Sequence, residues 1–174
     1  GAQSGVAGTT IEEVIESIRK LNEQGISCTV DNLGEYVTDE SEATQAKEEI
    51  LAMIEAIQVE ELDAHISLKP SQLGLDIDID LCYDNLYEIV ERAHEYGIFV
   101  NFDMEDYKRL QPSFDIVEEL AKSFNNVGTV IQAYFHRAKD DIENFKDFRL
   151  RVVKGAYKES EEVAYQDKLD IDIN

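Results

Sequence analysis

The chain has 174 residues, of which 43% are hydrophobic, and this is enough to bury the core of one domain of ordinary size. Its 38 acidic and 16 basic residues give a formal net charge of −22, which excludes the basic surface that nucleic-acid phosphates require. No apolar run approaches the roughly 18 residues of a membrane-spanning helix. Cys28 and Cys82 fall inside predicted elements, where we expect reduced, buried thiols rather than a disulfide.

Short runs rich in β-branched residues recur along the chain at intervals of about thirty residues, and each ends on a polar side chain. They span residues 26–31, 65–69, 98–103, 129–132 and 149–154. Segments with helical spacing lie between them, and this alternation is typical of a parallel α/β sheet or barrel. We expect these strands to be apolar on both faces and buried on both sides. Ligands in such folds bind at the carboxyl ends of the strands.

Apolar residues spaced three and four apart predict five helices between the strands. The predicted helices run from Thr9 or Thr10 to about Leu21, and over Glu40–Ile57, Leu81–Tyr96, Ser113–Phe124 and Ala138–Phe145. The hydroxyl of Thr9 or Thr10 is expected to cap the first helix, and that of Ser113 the fourth.

A further strand is expected near Val6–Ala7, which would bring the total to six strand–helix units. A complete eight-unit barrel typically needs about 250 residues. The chain also lacks an initiating Met, and residues 170–174 stop within an apolar alternation. The sequence therefore predicts one domain, residues 1–174, that is a fragment holding about the first six units of a (βα)8 TIM-like barrel.

Lys69 ends a predicted buried strand, where an unpaired ammonium group is costly. Three interpretations remain open from the pattern alone. Lys69 could form a Schiff base with a carbonyl substrate, as in aldolase-type barrels. It could instead bind a substrate carboxylate, or it could pair with Asp103 at the next strand end without any ligand.

Two other strand ends carry polar groups that a site could use. Asp103 ends an apolar strand and is followed by further acids within residues 104–106, so its carboxylate should face the mouth of the barrel. Gln132 ends an otherwise apolar strand, and a buried amide needs hydrogen-bond partners from the backbone or from a heterocyclic ring.

The segment from Arg151 to Tyr157 is the densest polar signal of the chain. Arg151 and Lys154 place two cations around a strand end. Gly155 would allow backbone N–H groups to approach an anion or a flat cofactor. The segment lacks the spacing of a P-loop, so it does not by itself predict a phosphate site.

Patterns that suggest a metal site are rejected. Residues 76–80 alternate Asp with Ile, like the first ligands of a calcium loop, but Leu81 replaces the required glycine and Tyr87 the bidentate acid. The three histidines do not have the spacing of zinc ligands. We therefore expect no metal.

Five motifs follow one another in a fixed order along nearly the whole chain. They are Val30–Glu35, Ser67–Leu75, Asp103–Glu105, Gln132–Tyr134 and Arg151–Tyr157. In order and spacing this set resembles the proline dehydrogenase family. The resemblance implies an FAD enzyme on a modified (βα)8 barrel, which oxidises L-proline to Δ1-pyrroline-5-carboxylate and passes the electrons to a quinone.

The resemblance also implies roles for individual residues. Asp103 and Arg151 match the family's catalytic pair near the substrate and the flavin N5, and Lys69 matches the lysine that binds the substrate carboxylate. Tyr157 matches an aromatic residue of the substrate pocket, and Glu35 an acid that pairs with a substrate-binding arginine. The positions that match residues lining the FAD are Met104, Gln132, Val153 through its backbone, Lys154, Gly155 and Ala156.

The family's paired carboxylate-binding arginines and the rest of its FAD site lie in segments that this sequence does not contain. We therefore expect the fragment by itself to be inactive and to self-associate through an open barrel edge. For the parent enzyme the resemblance implies the bacterial cytoplasm, with peripheral contact at the inner face of the membrane. The alternatives are an aldolase-like barrel that uses Lys69 and a non-catalytic acidic interaction module.

Overall fold

Six strands form one parallel sheet in the computed structural model, which describes residues 2–5, 10–31, 37–103 and 105–166. The strands are β1 (Ala2–Gly5), β2 (Cys28–Asp31), β3 (Ala64–Leu68), β4 (Val100–Phe102), β5 (Val127–Gln132) and β6 (Arg149–Val153). Each strand pairs with the next along the chain, and every pair is parallel. This is the strand order of a (βα)8 barrel, so the predicted α/β, TIM-like fold is confirmed. The expected strand at Val6–Ala7 falls outside the described residues.

Within the described residues, five helices connect the strands, and a short 3₁₀ helix, Pro70–Leu73, follows β3. The helices are α1 (Ile11–Glu23), α2 (Glu40–Val59), α3 (Ile79–Glu95), α4 (Tyr107–Ala121) and α5 (Ala138–Asn144). Thr10 caps α1 by accepting a hydrogen bond from the Glu13 N–H, so of the two predicted candidates, Thr9 and Thr10, Thr10 is the cap. No helix among the described residues is both long and apolar enough to cross a bilayer.

The start of α4 differs from the prediction. The helix begins at Tyr107, so Ser113 is not its cap but a buried residue within it. Pro112 also lies inside the helix. The Tyr107 N–H donates to Glu159 Oε2 at 2.7 Å, and such a cap from a distant part of the chain leaves no local sequence pattern.

The two faces of the sheet differ in chemistry. The outer face packs against the helices and is apolar; its buried members include Val30, Ile66, Leu68, Val100, Phe102 and Ile131. The inner face of β2, β3, β4 and β6 carries polar side chains that line a cavity, among them Asp31, His65, Ser67, Asn101 and Arg151. The prediction of strands that are apolar on both faces is therefore wrong for these strands, because one face of β2, β3 and β4 lines the cavity and most of β6 is exposed.

The sheet is open within the described residues, since β1 pairs only with β2 and β6 only with β5. At the β6 edge the side chain of Val152 is 50% exposed. An open edge of this kind exposes backbone N–H and C=O groups that can pair with another strand.

Candidate functional site

A cavity of about 370 Å³ lies on the inner face of the sheet. Its lining residues are Thr29, Asp31, His65, Ser67, Phe99, Asn101, Asp103, Arg149, Leu150 and Arg151. This volume lies within the range of small-molecule sites. The structure thus brings two of the sequence-predicted residues, Asp103 and Arg151, to the wall of one cavity.

Lys69 lies beside Asp103, with 3.8 Å between the Lys69 Nζ and the nearer Asp103 carboxylate oxygen. The ion pair that was one of the three interpretations of Lys69 is therefore present. The backbone N–H of Lys69 donates to Gln72 Oε1 at 3.0 Å. Because an ammonium group has three donors and the Lys69 side chain remains 34% exposed, the ion pair leaves room for a ligand carboxylate.

A second carboxylate of the inner face, that of Asp31, is only 7% exposed. Burial raises its pKa, and the nearby Asp103 acts in the same direction, whereas Lys69 and a hydrogen bond with Ser67 partly oppose them. The Ser67 hydroxyl also accepts a hydrogen bond from Asn101 Nδ2 at 3.1 Å. A chain of polar contacts therefore crosses β2, β3 and β4.

Aromatic and basic groups occupy the other end of the cavity. His65 Nε2 lies 2.9 Å from Thr29 Oγ1, and its ring meets Phe99 edge to face at 5.8 Å. The Arg149 guanidinium lies 4.0 Å from the centre of the Phe99 ring. Burial lowers the pKa of His65, and Arg149 lowers it further, so the site favours the neutral imidazole.

Glu105 joins three successive strand ends. Its carboxylate is buried, 3% exposed, and accepts hydrogen bonds from Ser71 N at 3.3 Å and from Ser71 Oγ at 2.8 Å. Its backbone carbonyl accepts from Gln132 Nε2 at 2.6 Å. Gln132 is 1% exposed and is not among the cavity-lining residues, and its Oε1 has no hydrogen-bond partner within the part of the chain that the structure describes.

The segment after β6 folds over Tyr134. The Tyr134 N–H donates to the Lys154 carbonyl at 3.0 Å, and the Tyr134 hydroxyl donates to the Tyr157 carbonyl at 2.8 Å. Gly155 has a φ of +124°, and a Cβ at this position would overlap the Tyr134 ring. Its glycine is therefore required by a contact within the protein itself.

The remaining predicted residues of this segment have mixed exposure. Lys154 and Ala156 are exposed, whereas Val153 is half-buried and its carbonyl accepts from the Ala133 N–H at 2.6 Å. Glu35 and Met104 lie outside the described residues, so their roles stay predictions.

Residues that precede the strand ends on the same face also belong to the site, although they were not predicted. Side chains of a strand alternate between faces, so counting back in steps of two from Asp103 and Arg151 leads to Asn101, Phe99 and Arg149. All three line the cavity. The signal was present in the sequence, but the prediction rested on the terminal residues of the strands.

A parallel sheet in chain order with a polar, ligand-sized cavity on its inner face defines part of an α/β barrel with a candidate binding site. The family model described as proline dehydrogenase matches residues 14–174, and the chain belongs to that family. The resemblance seen in the motifs is thereby confirmed.

Individual relatives give the same result. Proline dehydrogenase 2 of Bacillus subtilis (strain 168) is 44% identical over 171 residues, with 97% of this chain and 56% of the relative covered. Proline dehydrogenase of Deinococcus radiodurans is 36% identical over 180 residues, with 99% and 58% covered. The chain thus spans a little more than half the length of these curated relatives.

Among solved structures, proline utilization A (PutA) from Bdellovibrio bacteriovorus, inactivated by N-propargylglycine, is similar to this chain with a TM-score of 0.76. The match covers 85% of this chain and 19% of that one, at 24% sequence identity. At this identity the likeness supports the fold alone.

Proposed function

We propose that the protein takes part in the flavin-dependent oxidation of L-proline to Δ1-pyrroline-5-carboxylate, the first step of proline catabolism. Membership of the proline dehydrogenase family supports this proposal. The observation that carries it is the grouping of Asp103 and Arg151 on one cavity wall, with Lys69 beside Asp103.

The charges of the cavity match those of a cyclic amino acid. Lys69 is proposed to bind the substrate carboxylate, with Tyr157 and Glu35 completing the pocket. The inner face also offers the carboxylates of Asp31 and Asp103 to the ring nitrogen. A zwitterion whose ammonium nitrogen and carboxylate are both attached to one carbon requires both signs of charge within one small cavity, and the strand ends provide them.

FAD is the proposed cofactor, and the residues present fit it. The Gln132 amide oxygen has no partner among the described residues, and a ring N–H donor would satisfy it. The proposed lining residues are Met104, Gln132, Val153, Lys154, Gly155 and Ala156. When bound, FAD supplies the acceptor for the hydride that leaves C5 of proline. The guanidinium of Arg151 is proposed to stabilise negative charge that develops beside it during reduction.

A quinone is proposed as the electron acceptor, and peripheral contact of the cytoplasmic bacterial enzyme with the membrane would follow from the location of quinones. The 174-residue chain alone is proposed to associate through its open sheet edges and to be inactive. Sedimentation of the isolated chain, and dye reduction with added FAD and L-proline, test these two statements. A monomer with full turnover would contradict both.

The central experiment uses the purified full-length protein. We expect bound flavin whose absorbance L-proline bleaches under anaerobic conditions, while D-proline serves as the control substrate. Lys69→Met should lower kcat/KM at least about 30-fold, because it removes a charged partner of the carboxylate. The matched control is Lys122→Met, since Lys122 is an exposed lysine at the end of α4, and its ammonium pairs with Glu119 of the same helix.

Two results would overturn the proposal. The first is a full-length protein that neither binds flavin nor reduces it with proline. The second is covalent trapping of a carbonyl compound on Lys69 by borohydride, which would favour the aldolase-like alternative.

A further inference from the structure

The loops that follow β3 and β4 are joined by a buried contact outside the cavity. Ser71 donates both its backbone N–H and its hydroxyl to the carboxylate of Glu105. Ser71 stands two residues after Lys69, and Glu105 stands two residues after Asp103. The contact therefore links the two segments that carry the cavity's ion pair.

The two members of that ion pair are held differently. The N–H of Asp103 donates to the Leu68 carbonyl at 2.8 Å, which extends the hydrogen bonding between β3 and β4 to the end of the strand. Lys69 lies beyond β3, and its backbone N–H donates within its own loop, to Gln72. The position of the Lys69 backbone thus depends on what holds this loop.

Cys82 Sγ and Asn85 Nδ2 of α3 hold this loop from the helix side, at the Pro70 and Leu73 carbonyls, and Glu105 holds it to the neighbouring strand ends. Its side chain contacts the β3 loop, and its carbonyl accepts from Gln132 at the end of β5. Burial raises the pKa of Glu105, whereas the two hydrogen bonds from Ser71 and the charge of Arg109 act against the shift. A buried carboxyl is costly compared with an apolar side chain of similar size, so stability alone does not explain its presence.

We propose that Glu105 is a positioning residue that fixes the separation of Lys69 and Asp103 by tying the loop after β3 to the loop after β4. The inference rests on the proposed function, in which Lys69 binds the substrate carboxylate. Glu105 itself does not line the cavity, so its effect on the substrate passes through Ser71 and the Lys69 backbone.

The test compares four variants of the full-length enzyme. Glu105→Ala removes both hydrogen bonds, Glu105→Gln keeps an acceptor oxygen, and Ser71→Ala removes the hydroxyl donor only. The matched control is Glu42→Ala: Glu42 accepts from the hydroxyl and the N–H of one residue, Thr38, at 2.6 and 3.3 Å, but on the exposed start of α2.

We expect Glu105→Ala to raise KM for L-proline about tenfold while kcat changes less, because a displaced Lys69 weakens carboxylate binding. Glu105→Gln should recover most of the loss, Ser71→Ala should fall between, and Glu42→Ala should match the wild type. If Glu105→Ala fails to fold, Ser71→Ala still tests the proposal. A KM for Ser71→Ala equal to that of the wild type would overturn it.

Backbone hydrogen exchange separates this inference from the proposed function. Residues 69–73 should exchange faster in Glu105→Ala, or in Ser71→Ala if the first variant does not fold, than in Glu42→Ala. This holds whether or not the protein oxidises proline. Unchanged exchange there would refute the tie between the loops. If residues 69–73 exchange faster in the variant but L-proline does not reduce the flavin of the wild-type enzyme, the proposed function is refuted and the tie between the loops is not.

Discussion

The two faces of β4 differ in what they contact: one packs in the apolar core and the other lines the cavity. Phe102 points outward, is 1% exposed and belongs to the apolar core against the helices. Its neighbour Asn101 points inward, lines the cavity and donates to Ser67. Burial of apolar area on the outer face stabilises the fold. The inner face can therefore hold charged and polar groups that do not contribute to the apolar core.

The largest effect is expected from the core. Phe102→Ala should lower the free energy of unfolding by about 3–5 kcal/mol, since it removes a buried ring and leaves a cavity. Asn101→Ala, one residue away on the other face, should cost only about 1 kcal/mol, the value of one hydrogen bond. Denaturant titration of both variants measures the contrast. Equal losses would show that the inner face is as important for stability as the core.

A smaller loss is expected at Gly155, where the segment after β6 packs against the Tyr134 ring. Gly155→Ala should cost about 1–3 kcal/mol, because a positive φ is strained for alanine and the Tyr134 ring would have to move. The matched control is Gly25→Ala, which has a φ of +78° but open space around the added Cβ. It should cost about 1 kcal/mol from backbone strain alone. If Gly25→Ala lost more free energy of unfolding than Gly155→Ala in the same denaturant titration, the overlap with the Tyr134 ring would not explain the need for glycine at position 155.

The buried carboxyl of Asp31 predicts a pH dependence of stability. Because its folded-state pKa is raised above the unfolded value, its ionisation opposes folding, and stability is lost as the pH rises through the raised pKa. Asp31→Asn should remove this loss, so that its free energy of unfolding no longer falls between mildly acidic and neutral pH. Thermal unfolding of the wild type and of Asp31→Asn, measured from mildly acidic to neutral pH, tests this difference in pH dependence.

Asp39 provides a control of opposite sign. A backbone hydrogen bond from Glu42 at the start of α2 lowers the pKa of this exposed carboxyl. Its stabilisation is present above the unfolded pKa and is lost as the pH falls through the folded value. Asp39→Ala should therefore destabilise at neutral pH and have little effect in acid. If Asp31→Asn and Asp39→Ala changed the pH dependence of the free energy of unfolding in the same direction, the opposite pKa shifts of the two carboxyl groups would be contradicted.

The smallest effect is expected on the outer surface of the helices. Arg19 pairs with Glu60 at 2.6 Å, and both side chains are 40% exposed. Arg19→Met should change the free energy of unfolding by about 0.2–1 kcal/mol, and less at high salt. Lys69→Met should cost as little in stability yet reduce proline turnover. A large loss of stability in Lys69→Met would remove the distinction between the two faces.

Much of the fold could be predicted because the signals were local. Helical spacing and a capping threonine located α1, and β-branched runs located five of the strands. The beginning of α4 could not be predicted, because its first N–H is bonded by Glu159 from far along the chain. The mistaken expectation of two apolar faces has a similar origin. The alternation of Asn101 and Phe102 was present in the sequence, but the apolar neighbours of Asn101 suggested full burial.

The candidate site was predicted in part. Asp103 and Arg151 were identified from strand ends, and the ion pair of Lys69 with Asp103 was one of the alternatives considered. The tie between Glu105 and Ser71 was not foreseen, because it joins two loops and depends on how far each loop extends past its strand. Gly155 was assigned to a cofactor contact, whereas its packing against Tyr134 becomes visible only in three dimensions.

The placement of Lys69, Arg149 and Arg151 has a consequence for how molecules reach the cavity. These cations gather on the inner face of a chain whose net charge is −22. At long range the negative field repels free anions, and salt screens it over about 10 Å at 0.1 M. A zwitterionic amino acid has no net charge and is not repelled at long range. Near the cavity the cations attract its carboxylate, and the carboxylates of Asp31 and Asp103 attract its ammonium group. Its rate of association should therefore depend little on ionic strength, whereas that of a dicarboxylate inhibitor should rise with added salt.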